Sequence, residues 1–131
     1  SAADSLNLEA YYQEFILGYP GSDLSVILMK DLGHRYTDMG EYDEAIKYYN
    51  QAVNSWMGKT RAAETTYWVA EASAEKKDYQ QSRFYFLKLA DEYPQSHWAP
   101  KALYARGRLY LTENELSPFH LPRVDHTEIK F

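Results

Sequence analysis

The chain predicts an all-α fold, an α-α superhelix of about six helices paired as antiparallel hairpins and followed by an irregular C-terminal tail. Three observations lead there. Apolar residues recur at helical spacing through most of the 131 residues. The pattern itself recurs with a period of 37: Gly33, Ala70 and Gly107 are all small, Tyr12, Tyr49 and Phe86 all aromatic, and Phe15, Ala52 and Leu89 all apolar. Gly or Pro then punctuates the pattern, with Tyr19-Pro20 returning two periods later as Tyr93-Pro94. A fixed period of this size marks stacked supersecondary units.

The elements follow in order. Residues 8–18 read as a closing helix that buries Leu8, Tyr12 and Phe15 and stops at Tyr19-Pro20. Residues 23–39 place Val26, Met29, Leu32, Gly33 and Tyr36 on one face, and Gly40 ends the segment. Residues 42–55 carry Ala45, Ile46, Tyr49, Ala52 and Val53, and the short link between these two segments makes them an antiparallel pair. The pair returns as 63–76, with Thr66, Val69, Ala70 and Ser73, and 79–92, with Ser82, Arg83, Phe86 and Leu89 before the stop at Pro94. A third opening helix over 99–112 sets Leu103, Gly107 and Tyr110 in the same register.

The predicted array therefore fills residues 1–113 as a half repeat (7–22), two full repeats (26–59 and 63–96) and a half repeat (100–113). Residues 114–131 form the tail: Pro118 and Pro122 interrupt it, it has no helical stripe, and Phe119, Leu121 and Phe131 let it pack onto the array.

Composition bounds the chemistry. The net charge of -5, with acids and bases interspersed, disfavours nucleic acid as a partner. No apolar run is long enough for a direct membrane span. No basic start leads into an apolar segment, so no signal peptide is expected; Ser1-Ala2-Ala3 is compatible with a trimmed boundary. The absence of cysteine excludes disulfides and thiolate sites while fitting either redox compartment. Tyrosine, at 13 residues, suits gaps between helices, with the hydroxyl at the wet edge.

Leu32-Gly33-x-x-Tyr36 followed by Gly40-x-Tyr42-x-x-Ala45-x-x-x-Tyr49-x-x-Ala52 resembles the tetratricopeptide repeat signature at its usual spacings. The second unit keeps Ala70, Tyr79, Phe86 and Pro94, but has Ser73 for an aromatic and Ser82 for alanine. The third supplies only Gly107 and Tyr110, so the resemblance covers residues 7–113. It implies a right-handed superhelix. The family unit is 34 residues, so the longer period puts about three extra residues in each inter-repeat turn, near Met57-Gly58-Lys59 and Ser96-His97-Trp98.

The junction Tyr93-Pro94-Gln95-Ser96 with Ala99-Pro100-Lys101-Ala102-Leu103-Tyr104 is similar to one common in bacterial envelope repeat proteins of the Tol-Pal coordinator and outer-membrane assembly lipoprotein types. That similarity favours a bacterial periplasm or cell-envelope setting over the cytoplasm.

The resemblance also implies a protein or peptide partner in a concave groove. Its lining would be Lys30, His34 and Thr37, with Ile27 and Asp38; Tyr67 and Glu71, with Glu64 and Glu75; and Lys101, Tyr104 and Arg108, with Thr112. The plain alternative is a solvated helix face. Members that grip a C-terminal carboxylate use Lys, Asn and Arg; Lys30 and Lys101 match, but His34, Trp68 and Ala105 do not, so that grip is incomplete.

No site residue is predicted as catalytic or metal-binding, no cofactor is expected, and the chain reads as a non-enzyme. His34 and Asp38 with Asp31 share a face but offer one imidazole, which reads as a surface pair rather than a metal site. His120, Asp125, His126 and Glu128 read as a polar tail. Gly58-Lys59-Thr60 lacks the upstream glycine of a phosphate loop, since Val53 stands there. Glu41, Asp43 and Glu44 suit a helix start. Trp56 and Trp98 read as caps on the seam between pairs. Two other roles stand beside groove binding. One is a structural or oligomerisation spacer, a homo-oligomer joined through exposed array ends; the other is the repeat domain of a larger envelope or secretion protein.

Overall fold

The computed structural model describes residues 2–55 and 61–115. These form six helices and no strand: α1 (Ala2–Gly18), α2 (Asp23–Asp38), α3 (Tyr42–Asn54), α4 (Ala62–Glu75), α5 (Tyr79–Glu92) and α6 (Trp98–Glu115). Each helix packs on the next, and α4 also touches α6, as in a stack of hairpins. Trp56, Gly58-Lys59-Thr60 and the tail lie outside the described residues, apart from the end of α6.

The period reappears in the backbone. Within the α2–α3 turn, Glu41 N–H donates to Tyr36 O at 2.9 Å, and within the α4–α5 turn Asp78 N–H donates to Ser73 O at 2.9 Å. Both turns pass through the left-handed region, at Gly40 (φ 77°) and Lys77 (φ 72°). Glycine adopts that conformation freely, whereas a lysine there costs about 1 kcal/mol. The junctions match as well. Tyr19 N–H donates to Phe15 O and Tyr93 N–H to Leu89 O, each at 2.9 Å. Ser22 then caps α2 by accepting from Ser25 N–H at 3.1 Å, and Ser96 Oγ accepts from Trp98 N–H at 3.0 Å.

The core sits where opening and closing helices meet. A methyl group on Gly33 would lie 2.6 Å from Cδ1 of Tyr49 and closer still to Cε1, so the aromatic can seat only on a bare backbone. Tyr49 then reaches across to Val69 and Ala72 of the next unit. One period on, Phe86 packs with Ala70 and continues to Ala99 and Ala102. The small-residue and aromatic series of the sequence are thus contacts in these two units. The second unit also buries Thr65, Thr66, Ser73 and Ser82. Each of the two serines has a partner: Ser73 Oγ donates to Val69 O and Ser82 Oγ to Ala70 O, both at 2.8 Å.

The two ends differ from the sequence reading. α1 begins at Ala2 rather than residue 8. Leu8, Tyr12 and Phe15 are only half-buried, and Ile16 is the buried residue that joins Val26, Met29 and Leu32. On α6, Leu103 (49% exposed) and Tyr110 (63%) face outward, and nothing approaches Gly107. The cause is the same at both ends. Among the described residues, α1 lacks an opening helix and α6 lacks a closing one, so a stripe made for a neighbour stays open.

α1 is nevertheless fastened to the first unit by polar contacts. Glu9 Oε2 accepts from Tyr36 OH at 2.6 Å and Tyr48 OH at 2.9 Å, beneath a stacked Tyr36–Tyr48 pair. Gln13 Nε2 donates to Tyr48 OH at 2.6 Å, and Tyr12 OH donates to Asp31 at 2.9 Å.

Candidate protein-interaction groove

The opening helices α2, α4 and α6 run side by side and present the predicted groove residues, which fall into two classes. On α2, Lys30 forms an ion pair with Glu64 of α4, and its side chain is only 15% exposed. Neutralised in this way, Lys30 is not free to grip an anionic ligand. His34 is half-buried: its Nδ1 lies 2.7 Å from Tyr49 OH, which in turn lies 3.2 Å from Thr37 Oγ1. Thr37 Oγ1 donates to Gly33 O at 2.9 Å. Burial, and then the Lys30 charge, hold the His34 imidazole below its ordinary pKa, so it is neutral at pH 7.

Asp31 does not turn toward His34 and Asp38 as a third ligand. Its carboxylate accepts from Tyr12 OH and Arg35 Nε, both at 2.9 Å. Among the described residues, no group of three His, Cys, Asp or Glu side chains is placed to hold a metal.

On α4, Tyr67 is a packed residue. It meets Trp68 and Phe86 edge-on at 5.7 and 5.5 Å and tilts against Trp98 at 5.0 Å. Burial, and then a hydrogen bond to Glu71, push its phenol up to about 12. Ile27, Asp38, Glu75 and Thr112 are exposed along the same helices.

On α6 the predicted residues are open. Lys101 lies 4.7 Å over the Trp98 ring. Tyr104 is 57% exposed. Arg108 Nη1 donates to Tyr104 OH at 3.4 Å, with the guanidinium 6.0 Å from the ring.

Sequence reasoning missed what joins these helices. His34 meets Trp68 edge-on at 5.2 Å and Trp68 meets Trp98 at 6.0 Å, so a ladder of rings crosses from α2 through α4 to α6. Trp98 does pack into the α5–α6 seam, as a seam cap should, but it also forms the end of this ladder. The period could not reveal it. His34 is equivalent to Glu71 and Arg108, and Trp68 to Asp31 and Ala105, so the three rings occupy unrelated repeat positions. Beside the ladder lies an open depression of roughly 510 Å³, lined by Lys30, Arg61, Ala63, Glu64, Tyr93, Ser96, His97 and Trp98. No helix among the described residues is long and apolar enough to cross a membrane.

No curated protein shows significant similarity to the chain. Residues 30–97, more than half of its length, match the sequence profile of the Tetratricopeptide repeat family, whose members generally serve in protein-protein interaction. The match begins inside α2 and ends at the start of α6, taking in both hairpin turns, and the six stacked helices agree with it: the chain belongs to the tetratricopeptide repeat family.

Proposed function

We propose that the chain is a non-catalytic interaction module that holds an extended peptide or a partner helix against α2, α4 and α6. The observation that carries this reading is the open face of α6. There Lys101, Tyr104 and Arg108 offer two cations and an aromatic to solvent, beside the ring ladder and the depression at its end. A partner with an apolar or aromatic anchor followed by acidic residues suits that sequence of groups. Lys30, His34, Thr37, Tyr67 and Glu71 serve as the floor that fixes the spacing. The setting in a bacterial cell envelope rests on the Tyr93-Pro94 junction, and the division into an array over 1–113 and a tail over 114–131 rests on the repeat period.

Affinity selection of a random peptide library on the 131-residue chain tests the reading. Selected peptides should share an acidic stretch beside an aromatic, and should lose at least tenfold in affinity against the triple variant Lys101→Ala, Tyr104→Ala, Arg108→Ala. All three side chains are exposed, so the variant keeps its helical content. Peptides that bind both proteins equally would move the site away from this groove.

A further inference from the structure

The two open ends of the array are complementary halves of one hairpin. α6 is an opening helix with no closing helix, and α1 is a closing helix with no opening helix, among the described residues. We propose that a second copy of this chain docks its α1 on α6, completing a repeat between molecules, so that copies stack head to tail with Tyr12 of one over Gly107 of the next.

Gly107 is the first support. Mid-helix glycine weakens a helix unless something must approach the backbone closely. At the equivalent Gly33 that approach is the Tyr49 ring, whereas at Gly107 the space is empty. Around it, Leu103 and Tyr110 are 49% and 63% exposed, where the equivalent Thr66 and Ser73 are 4% and 0%. Such a face matches the underside of a closing helix in register.

Tyr12 is the second support. It stands one period before Tyr49 and already packs on the following unit as that residue does. It packs on the Val26, Met29 and Leu32 cluster of the following opening helix, as Tyr49 packs on Val69 and Ala72. It lacks the opening-helix contacts that Tyr49 makes with Gly33, His34 and Thr37, and it is half-buried where Tyr49 is 1% exposed.

Charge favours the same pairing. α1 carries Asp4, Glu9 and Glu14 and no basic residue, while α6 carries Lys101, Arg106 and Arg108 before its first acid, Glu113. The chain's own continuation does not supply the missing pattern. One period after Ala45, Ser82 and after Tyr49, Phe86 stand Phe119 and Arg123, flanked by Pro118 and Pro122.

Because the two docking surfaces differ, the contact is heterologous, and repetition of the stack gives open growth rather than a closed pair. Sedimentation velocity of the 131-residue chain, from micromolar to millimolar concentration, reads this directly. The mean mass should rise several-fold and pass beyond two copies, and added salt should lower it. Gly107→Gln should remain a single copy while its thermal midpoint is unchanged or higher, because nothing in the lone chain meets a side chain there. Mixed with the parent in equal amounts, it should cap growing stacks and lower their mean mass about twofold. A parent chain that stays single at millimolar concentration overturns the proposal. So does growth that a folded Gly107→Gln chain leaves unchanged, or a plateau at two copies.

Discussion

The two complete hairpins share a turn and differ in their filling. In α2–α3 the extra hydrogen bond to the glycine carbonyl comes from within the helix, Thr37 Oγ1 to Gly33 O at 2.9 Å, and the facing position is Ala45. In α4–α5 it comes from across the pair, Ser82 Oγ to Ala70 O at 2.8 Å, and Thr37 is replaced by Ala74. The first hairpin is closed by tyrosines, Tyr36, Tyr48 and Tyr49, and the second by Phe86 with buried hydroxyls. One backbone thus accepts two side-chain solutions, provided each buried polar group finds a partner, either within its own helix or across the pair.

The largest expected effect that separates the hairpins is alkaline. Burial, with Glu9 as hydrogen-bond acceptor, pushes the Tyr48 phenol up to about 12 from its usual 10.0. Tyr36 is raised chiefly by its bond to Glu9, while Tyr12 and Tyr49 are raised chiefly by burial. In the second hairpin Tyr67 is raised chiefly by burial, also to about 12. The neutral phenol is the folded form, so its contribution is complete below the unfolded pKa of 10.0 and is lost as pH climbs toward 12. Circular dichroism should record unfolding in that window. Tyr36→Phe with Tyr48→Phe should move the alkaline midpoint up further than Tyr67→Phe; equal shifts would remove the asymmetry.

Next comes the floor of each hairpin. Gly33→Ala should cost about 2 kcal/mol, because Tyr49 is pinned through its hydroxyl by His34 and Thr37 and cannot swing clear. Ala70→Gly should cost only about 1 kcal/mol, chiefly helix propensity. Urea titration of both variants orders them.

Exchange of the hydroxyl between hairpins follows. Ala45→Ser places a hydroxyl at a fully buried site whose nearest equivalent acceptor, Gly33 O, already serves Thr37, and should cost about 1 kcal/mol. Ser82→Ala leaves Ala70 O its helix bond and should stay within about 0.5 kcal/mol of the parent. A neutral Ala45→Ser would mean that the carbonyl has room for a third donor.

The smallest effect concerns the turns. Lys77→Gly should stabilise by less than about 1 kcal/mol, relief of the left-handed strain being partly offset by a freer unfolded chain. Thermal unfolding would detect the rise, and a fall would show that the aliphatic stem of Lys77 matters more than its φ.

Much of this was legible before any coordinates. Gly33, Tyr49, Ala70 and Phe86 met where the period placed them, and the bounds predicted for α5, 79–92, match Tyr79–Glu92. The open ends were less legible because a stripe such as Leu103, Gly107 and Tyr110 records fitness for a neighbour, not its presence. Within the groove, sequence offered helix faces but not what their side chains do. Lys30 is consumed by Glu64, 34 residues away, and Tyr67 is packed against Phe86 and Trp98 of other helices, partnerships that spacing within one helix does not specify. The His34–Trp68–Trp98 ladder was illegible for a related reason: it follows the diagonal between helices, not the repeat.

The matched turns at Glu41–Tyr36 and Asp78–Ser73 share one main-chain closure, and the second adds the Asp78 side chain, which accepts from Gln81 N–H at 3.1 Å. Each turn thus travels with its own hairpin, which behaves as a cassette. A duplicated copy of residues 42–78, inserted after Asp78, would bring its own turn, but its Tyr49 would face Ala70 of the preceding helix where the parent offers Gly33. With Ala70→Gly in that preceding helix the array gains one unit of length, and the groove lengthens with it.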